Sequence, residues 1–207
     1  MKVSFNIHDG DSTHPISDKE ISDYASFHGL DKLIGGHYSS LLIVNLIILE
    51  KALGIDPDHV ISEIKALEGA GKPLQTKPES QFKGEHLKGL WHKHFLPALP
   101  SVIGHNITNH FGKNGVRILV EDVFDPQKSP TVTQEMINEL SHRLITEALE
   151  DRGNQDKLTG EWIIYAKEND KNYYLCICPH TSGDENIARN IKTACLPEFP
   201  FLSKYVS

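Results

Sequence analysis

Residues 81–95 concentrate the side chains of this sequence that suit proton transfer and anion binding. The stretch reads QFKGEHLKGLWHKHF and sets three histidines and three lysines on an apolar frame that includes Trp91 and Phe95. Histidine titrates near neutral pH, so two imidazoles can act as a general acid and a general base. Lysine ammonium groups beside them would neutralise charge that develops on a phosphate or an oxyanion. The stretch therefore predicts a reaction centre.

Two runs rich in aromatic and β-branched residues, 161–167 and 173–178, predict the strands of an antiparallel hairpin. The register expected for a four-residue turn places Glu161 opposite His180, with Cβ atoms about 5 Å apart. Glu161 would then hold the His180 imidazole in one tautomer. Lys167 shares that face but lies about 20 Å further along the strand.

The element predicted to carry the histidine-rich stretch is a helix over residues 85–96, which sets Lys88 and His92 one turn apart. His92 or His94 would work with His180 as base and acid, and lysines would contact phosphate. The predicted catalytic residues are His92, His94, His180, Glu161 and Lys167, and the predicted substrate contacts are Lys83, Lys88 and Lys93.

The rest of the chain predicts an α+β fold, in which an N-terminal helical unit precedes helices packed on a small antiparallel β-sheet. Residues 37–53 and 57–68 form apolar periodic segments typical of helices. A linker rich in glycine and proline, residues 69–80, follows them. The predicted division is residues 1–71 and 72–207, with a single domain as the alternative.

Shorter signals predict the connecting elements. Residues 101–111 and 131–153 are expected to be helices, the second opened by a capping box, and residues 116–120 a strand. Ser182 and Glu185 have the spacing of another capping box, which would open the last helix.

Composition favours a protein of the cytoplasm. Hydrophobic residues make up 39% and charged residues 24%, as in ordinary globular chains. The longest apolar run, residues 41–49, has about half the length of a membrane span. Residues 1–7 lack the apolar core of a signal peptide. Three cysteines are an odd number and predict buried free thiols rather than disulfides.

Charge is distributed unevenly along the chain. The net charge is −7, yet residues 72–117 contain seven basic and two acidic residues. A basic, histidine-rich band in an acidic protein favours a site for an anion such as a phosphate backbone, whereas the simpler interpretation is a solvated surface.

A histidine- and lysine-bearing helix followed by a small antiparallel sheet that carries Lys167 and His180 resembles the barnase–EndoU–colicin–RelE ribonuclease toxins over residues 81–196. The resemblance implies metal-independent cleavage of RNA, with His92, Lys167 and His180 as catalytic positions. The expected partners are RNA and an inhibitory protein, and no cofactor and no membrane contact are predicted.

Two other functions stay open at this point. His92 with His94, or Cys176 and Cys178 with His180, offers ligands for zinc and hence for a zinc hydrolase. Residues 1–71 contain five basic and eleven acidic residues, which would suit an interaction protein of a bacterial or phage defence system that binds a basic partner.

Overall fold

The fold is organised around an antiparallel sheet with strands drawn from distant parts of the chain. A computed structural model describes residues 4–9, 12–72, 74–97, 99–158 and 160–206. The strands are β1 (Phe5–Asp9), β2 (Ser12–Ile16), β3 (Ser80–Gln81), β4 (Trp91–Phe95), β5 (Glu161–Glu168) and β6 (Lys171–Cys178). The α-helices are α1 (Asp18–Phe27), α2 (Leu30–Ile34), α3 (Ser40–Leu53), α4 (Asp58–Leu67), α5 (Pro100–Val123), α6 (Gln134–Ser141), α7 (Ala148–Asn154) and α8 (Asp184–Ala194). Shorter helical turns are 3-10 segments at Glu85–Leu87, His180–Ser182 and Pro200–Lys204 and a π-helical segment at His142–Glu147.

The strands form two antiparallel sheets. β1 and β2 pair as a separate ribbon, and the larger sheet has the order β3-β4-β5-β6. α3 contacts β6, α4 contacts β4 and α8 contacts β6. The predicted α+β fold, with helices packed on a small antiparallel sheet, is confirmed.

Contacts within the chain group its residues into two compact units. The sheet unit consists of residues 1–74, 78–97 and 161–207, and the helical unit consists of residues 75–77 and 98–160. In sequence, most of the helical unit, residues 98–160, therefore lies between β4 and β5, which are neighbours in the sheet. Within the described residues, no helix combines the length and the apolar composition of a membrane span.

The predicted long apolar helix is present as α3. Ser39 caps it by accepting a hydrogen bond from the Leu42 amide at 3.0 Å, and Gly54 ends it in the left-handed conformation with φ of 63°. In the middle of α3, the side-chain oxygen of Asn45 accepts a hydrogen bond from the backbone amide of Ile177 at 3.0 Å. α3 therefore supplies both core side chains and a polar cover for the edge of β6.

One face of the larger sheet packs against α8. Ile164 and Cys176 on this face join Ile187 and Ile191 of α8 in a buried apolar cluster. Cys176, Cys178 and Cys195 are all buried and free, as predicted. Burial raises the pKa of the Cys178 thiol to about 12.

The predicted helix over residues 85–96 is wrong. Residues 85–87 form one 3-10 turn, Gly89 takes a left-handed φ of 93°, and the following residues form strand β4. β4 pairs with β3 on one side and β5 on the other. Two ladders of backbone hydrogen bonds outweigh the local helical spacing of the apolar side chains.

The predicted hairpin is present, but its register is wrong. Asn169 and Asp170, with φ of 51° and 58°, form a two-residue turn, so that Glu168 pairs with Lys171. An irregularity between Ile164 and Tyr165 then shifts the register by one residue. As a result, Trp162 pairs with Cys178.

Three local predictions also need correction. Residues 116–120 are helical, because α5 resumes after an interruption at Gly112, where φ is 68°. The cap of α6 is Thr133 rather than Thr131. α8 begins after Gly183 without a side-chain cap, so the capping box expected from Ser182 does not form.

Candidate functional site

β4 and the turn after β6 bring three histidines together on the larger sheet, with Trp162 of β5 between them. His92 and His94 are two residues apart on β4, so both project from the same face. His94 pairs across the ladder with Trp162 of β5, which in turn pairs with Cys178 at the end of β6. The chain then turns at the 3-10 segment that begins with His180.

We call His92, His94, Trp162, His180 and the neighbouring Phe82 the histidine cluster. The Nδ1 atom of His94 lies 3.2 Å from the Nε2 atom of His180, and their rings stack with centroids 4.9 Å apart. The ring centroids of His92 and His94 are 5.6 Å apart. A hydrogen bond between two imidazole nitrogens requires one to carry the proton and the other to accept it. The pair is therefore a built-in donor and acceptor.

Trp162 is the surface against which the imidazoles rest. Its ring centroid lies 4.3 Å from that of His180 and 5.1 Å from that of His92. Phe82 closes the other side at 4.5 Å from His92 and 5.3 Å from Trp162. Within the described residues, the buried indole Nε1 of Trp162 has no hydrogen-bond partner. The aromatic packing fixes the imidazole planes and limits the water around them.

Exposure differs from one imidazole to the next. His94 is 4% exposed, His92 is partly exposed and His180 is exposed. His180 gains its exposure from its position just beyond the end of β6. A ligand arriving from solvent would therefore meet His180 and the outer edge of His92 first.

Two polar side chains hold the cluster at its edges. The Ser80 hydroxyl lies 3.2 Å from Nε2 of His92 across the β3–β4 ladder. Glu161 accepts the backbone amide of His180 at 2.8 Å. Glu161 is thus next to His180, although not as the directly opposed pair that the predicted register gave, and its observed hydrogen bond fixes the backbone that carries the imidazole. Its predicted role in choosing the tautomer stays a prediction.

Lys93 does not join the histidines. It lies between them in sequence, so its side chain projects from the opposite face of β4. Its Nζ atom is 3.4 Å from Oε2 of Glu63, and both side chains are buried. The structure gives Lys93 an internal ion pair in place of the predicted contact with phosphate.

Lys167 is also held elsewhere. Its Nζ atom is 2.9 Å from Oε1 of Glu79 and 4.0 Å from the ring centroid of Trp91. Trp91 directly precedes His92 on β4, so the Trp91 ring and the ammonium over it lie on the face of the strand opposite to His92 and His94. The structure therefore keeps Lys167 apart from the histidine cluster.

Lys83 and Lys88 are exposed at the two ends of the 3-10 turn Glu85–Leu87. Lys83 directly follows Phe82 of the cluster. Of the three predicted substrate contacts, these two have exposed side chains.

Trp162, Phe82 and Ser80 are site residues that the sequence interpretation missed. The spacing of two between His92 and His94 is the pattern that could have indicated them. In a strand, this spacing places both imidazoles on one face, beside side chains of the adjacent strands. That signal becomes visible only once the segment is recognised as a strand.

The thiols proposed as zinc ligands lie under α8. Cys176 and Cys178 belong to the buried apolar cluster, and burial raises the pKa of both thiols. A raised pKa disfavours the thiolate form that binds zinc. Among the described residues, no group of three or more histidine, cysteine, aspartate or glutamate side chains is arranged to hold a metal ion.

Comparison of the chain with protein-family models, with curated proteins and with solved structures finds no match. The resemblance to ribonuclease toxins therefore stays a prediction. What the histidine cluster does must follow from its own geometry and chemistry.

Proposed function

We propose that the protein is a ribonuclease that cleaves RNA at the histidine cluster by general acid–base catalysis without a metal ion. The observation that carries the proposal is the hydrogen-bonded pair of His94 and His180, 3.2 Å apart, with a third imidazole beside it. Cleavage of RNA through its own 2′-hydroxyl needs a base, an acid and a positive charge near the phosphate. Two imidazoles can act as the base and the acid, and the acid carries the positive charge while it is protonated.

The differences in exposure suggest a role for each ring. His180, which is exposed, would remove the proton from the 2′-hydroxyl, whose oxygen then attacks the phosphorus. His92 would donate a proton to the 5′-oxygen as the bond between it and phosphorus breaks. The products would be a 2′,3′-cyclic phosphate and a 5′-hydroxyl end. His94 is buried and would position His180 and stabilise its protonated form.

The lysine placements favour an imidazolium as the positive charge. Lys93 pairs with Glu63 and Lys167 with Glu79. In a site partly screened from water, a protonated imidazole next to the phosphate would stabilise the transition state as an ammonium group does elsewhere. Lys83 and Lys88 would contact phosphates that flank the scissile one. An inhibitory protein partner, which the toxin resemblance implies, stays a prediction.

The test is cleavage of a fluorescent RNA oligonucleotide by the purified chain in the presence of EDTA. We expect cleavage of the RNA that leaves 2′,3′-cyclic phosphate ends. A DNA oligonucleotide of the same sequence should stay intact, because DNA lacks the attacking 2′-hydroxyl. His180→Ala and His92→Ala should each lower the rate by about 10²-fold or more.

The matched control is His59→Ala, since His59 is an exposed histidine of α4 in the same unit. Its rate should equal that of the unsubstituted chain. Absence of RNA cleavage, or cleavage that survives both cluster substitutions, would reject the proposal.

A further inference from the structure

A concave site lies between β2, α1 and α3. It encloses a cavity of about 700 Å³. We call it the N-terminal groove. Its lining residues are His14, Pro15, Ile16, Glu20, Asp23, Tyr24, Phe27, Ile47, Lys51 and Ala52. That volume is within the range of sites that bind a ligand or anchor a side chain of a partner.

α1 forms one wall of the groove, because one face of this helix packs into the core and another face lines the groove. Ile21 and Ala25 are buried in the core. Glu20, Tyr24 and Phe27, with Asp23 between them, recur at helical spacing and line the groove instead. The groove is therefore built from a continuous face of α1.

The groove combines an apolar floor with an exposed aromatic ring. Ile47 of α3 is buried at the floor, beside Ile16. Phe27, at the last position of α1, is 85% exposed. A phenylalanine left in water at the mouth of an apolar cavity is typical of a surface that a partner covers.

Carboxylates surround this apolar patch. The Ser17 amide and hydroxyl donate hydrogen bonds to Glu20, which lowers its carboxyl pKa. Tyr24 donates to Glu50 at 2.8 Å, which places another carboxylate on the α3 side. Asp23 lines the groove as well and forms an exposed salt bridge with Lys19 of α1 at 2.5 Å; among the lining residues themselves, Lys51 is the one lysine or arginine.

We propose that the N-terminal groove binds a basic segment of a partner protein, which inserts one large apolar side chain beside Phe27. The apolar floor would supply the contact area, and the carboxylates of Glu20, Asp23 and Glu50 would select lysine and arginine on either side of the inserted residue. Residues 1–71 contain eleven acidic and five basic residues, so the wider surface attracts the same partner.

The same charges argue against RNA in this groove, because carboxylates repel phosphates. The groove therefore has a role separate from that of the histidine cluster, and the proposal does not depend on ribonuclease activity. RNA cleavage and peptide binding can be measured independently on one protein sample.

The probe is a fluorescein-labelled peptide of lysines and glycines around one central leucine, and its binding to the purified chain is followed by fluorescence anisotropy. We expect saturable binding that weakens as salt is added. A peptide with glycine in place of leucine should bind at least tenfold more weakly, and one with glutamates in place of lysines should not bind.

Two substitutions in the groove test the location. Phe27→Ser removes the exposed ring, and Asp23→Lys reverses one charge. Each should weaken binding of the leucine peptide about tenfold. The controls are Ile118→Ser and Glu150→Lys, which change an exposed apolar residue and an exposed acid of the helical unit and should leave binding unchanged.

Several outcomes would overturn the proposal. The first is that the leucine peptide does not bind. The second is that the peptide without leucine or the acidic peptide binds as tightly as the leucine peptide. The third is that the control variants lose as much affinity as the groove variants. Self-association of the chain that Phe27→Ser abolishes, measured by analytical ultracentrifugation, would identify a second copy as the occupant instead.

Discussion

The two faces of β4 give neighbouring residues opposite surroundings. On one face, His92 and His94 contact other imidazoles and Trp162, and the exposed fraction increases from the buried His94 to the partly exposed His92. On the other face, Lys93 pairs with Glu63 where the side chains are only 8% and 2% exposed. The first arrangement keeps groups able to exchange protons within reach of a ligand, whereas the second encloses a fixed ion pair.

The difference shows that residue type alone does not assign function in this segment. Histidine and lysine alternate from His92 to His94, and the strand period of two separates them completely. A helix would have mixed both types around one cylinder. The secondary structure thus decides which of these groups could take part in catalysis.

The largest expected effect comes from breaking the ion pair. Lys93→Met leaves the Glu63 carboxylate buried without its nearest ammonium group, and we expect the free energy of unfolding to fall by about 3–5 kcal/mol. Urea denaturation followed by circular dichroism measures the change. The double variant Lys93→Met/Glu63→Leu should recover most of it, because both charges of the pair are then removed.

If the two faces of β4 act independently, this double variant should cleave RNA at the rate of the unsubstituted chain. A loss of cleavage in a variant that folds normally would show that the two faces of β4 are coupled. A cost below about 1 kcal/mol for the single substitution would mean that the pair is solvated despite its burial.

The next effect concerns the buried partner of the imidazole pair. His94→Phe keeps an aromatic ring against His180 but removes its hydrogen bond. We expect kcat for RNA cleavage to fall about 10²-fold with KM nearly unchanged, since His94 acts through His180 and does not contact the substrate. Steady-state kinetics on the RNA oligonucleotide separate the two constants. An increase in KM alone would make His94 a substrate-binding residue.

Much of this arrangement follows from the sequence, and the rest depends on distant contacts. The concentration of histidines near Trp91 and the strand that ends before His180 are local features, so the sequence predicts both. The strand at β4 depends on pairing with β5, which lies beyond the whole helical unit in the chain. Local spacing carries no information about such a partner, and the helix prediction failed for that reason.

The same reasoning explains the lysines. From composition, Lys93 and Lys167 are basic residues near histidines and suit phosphate binding. Glu63 and Glu79, which pair with them, are far away in sequence, and neither has a pattern that marks it as an ion-pair partner. The hairpin register failed through its turn, because Asn169 and Asp170 adopt positive φ and shorten it.

The histidine face continues across the sheet into buried thiols, and that buried part should respond to alkaline pH. Burial raises the pKa of Cys178 and that of Cys195 to about 12, against a usual value of 9.0. Above pH 9 the unfolded chain loses these protons while the folded chain keeps them, so stability falls as pH rises.

We expect the free energy of unfolding to decrease by about 1.4 kcal/mol per pH unit for each of these thiols between their unfolded and folded pKa values. Urea denaturation at a series of alkaline pH values measures the slope. Cys178→Ala should reduce it by the contribution of one thiol. A slope that stays the same in this variant would assign the alkaline sensitivity to other groups.

The smallest effect is expected at Lys167, on the strand next to β4. Its pair with Glu79 is 39% and 33% exposed, and its ammonium lies over the Trp91 ring, so solvent screens both interactions. Lys167→Met should lower the free energy of unfolding by only about 0.5–1 kcal/mol. It should leave RNA cleavage unchanged, because its ammonium lies over Trp91, on the face of β4 opposite to His92 and His94. A tenfold fall in kcat with unchanged stability would instead make Lys167 a catalytic residue, and the distinction between lysines held in ion pairs and reactive imidazoles would no longer hold for this sheet.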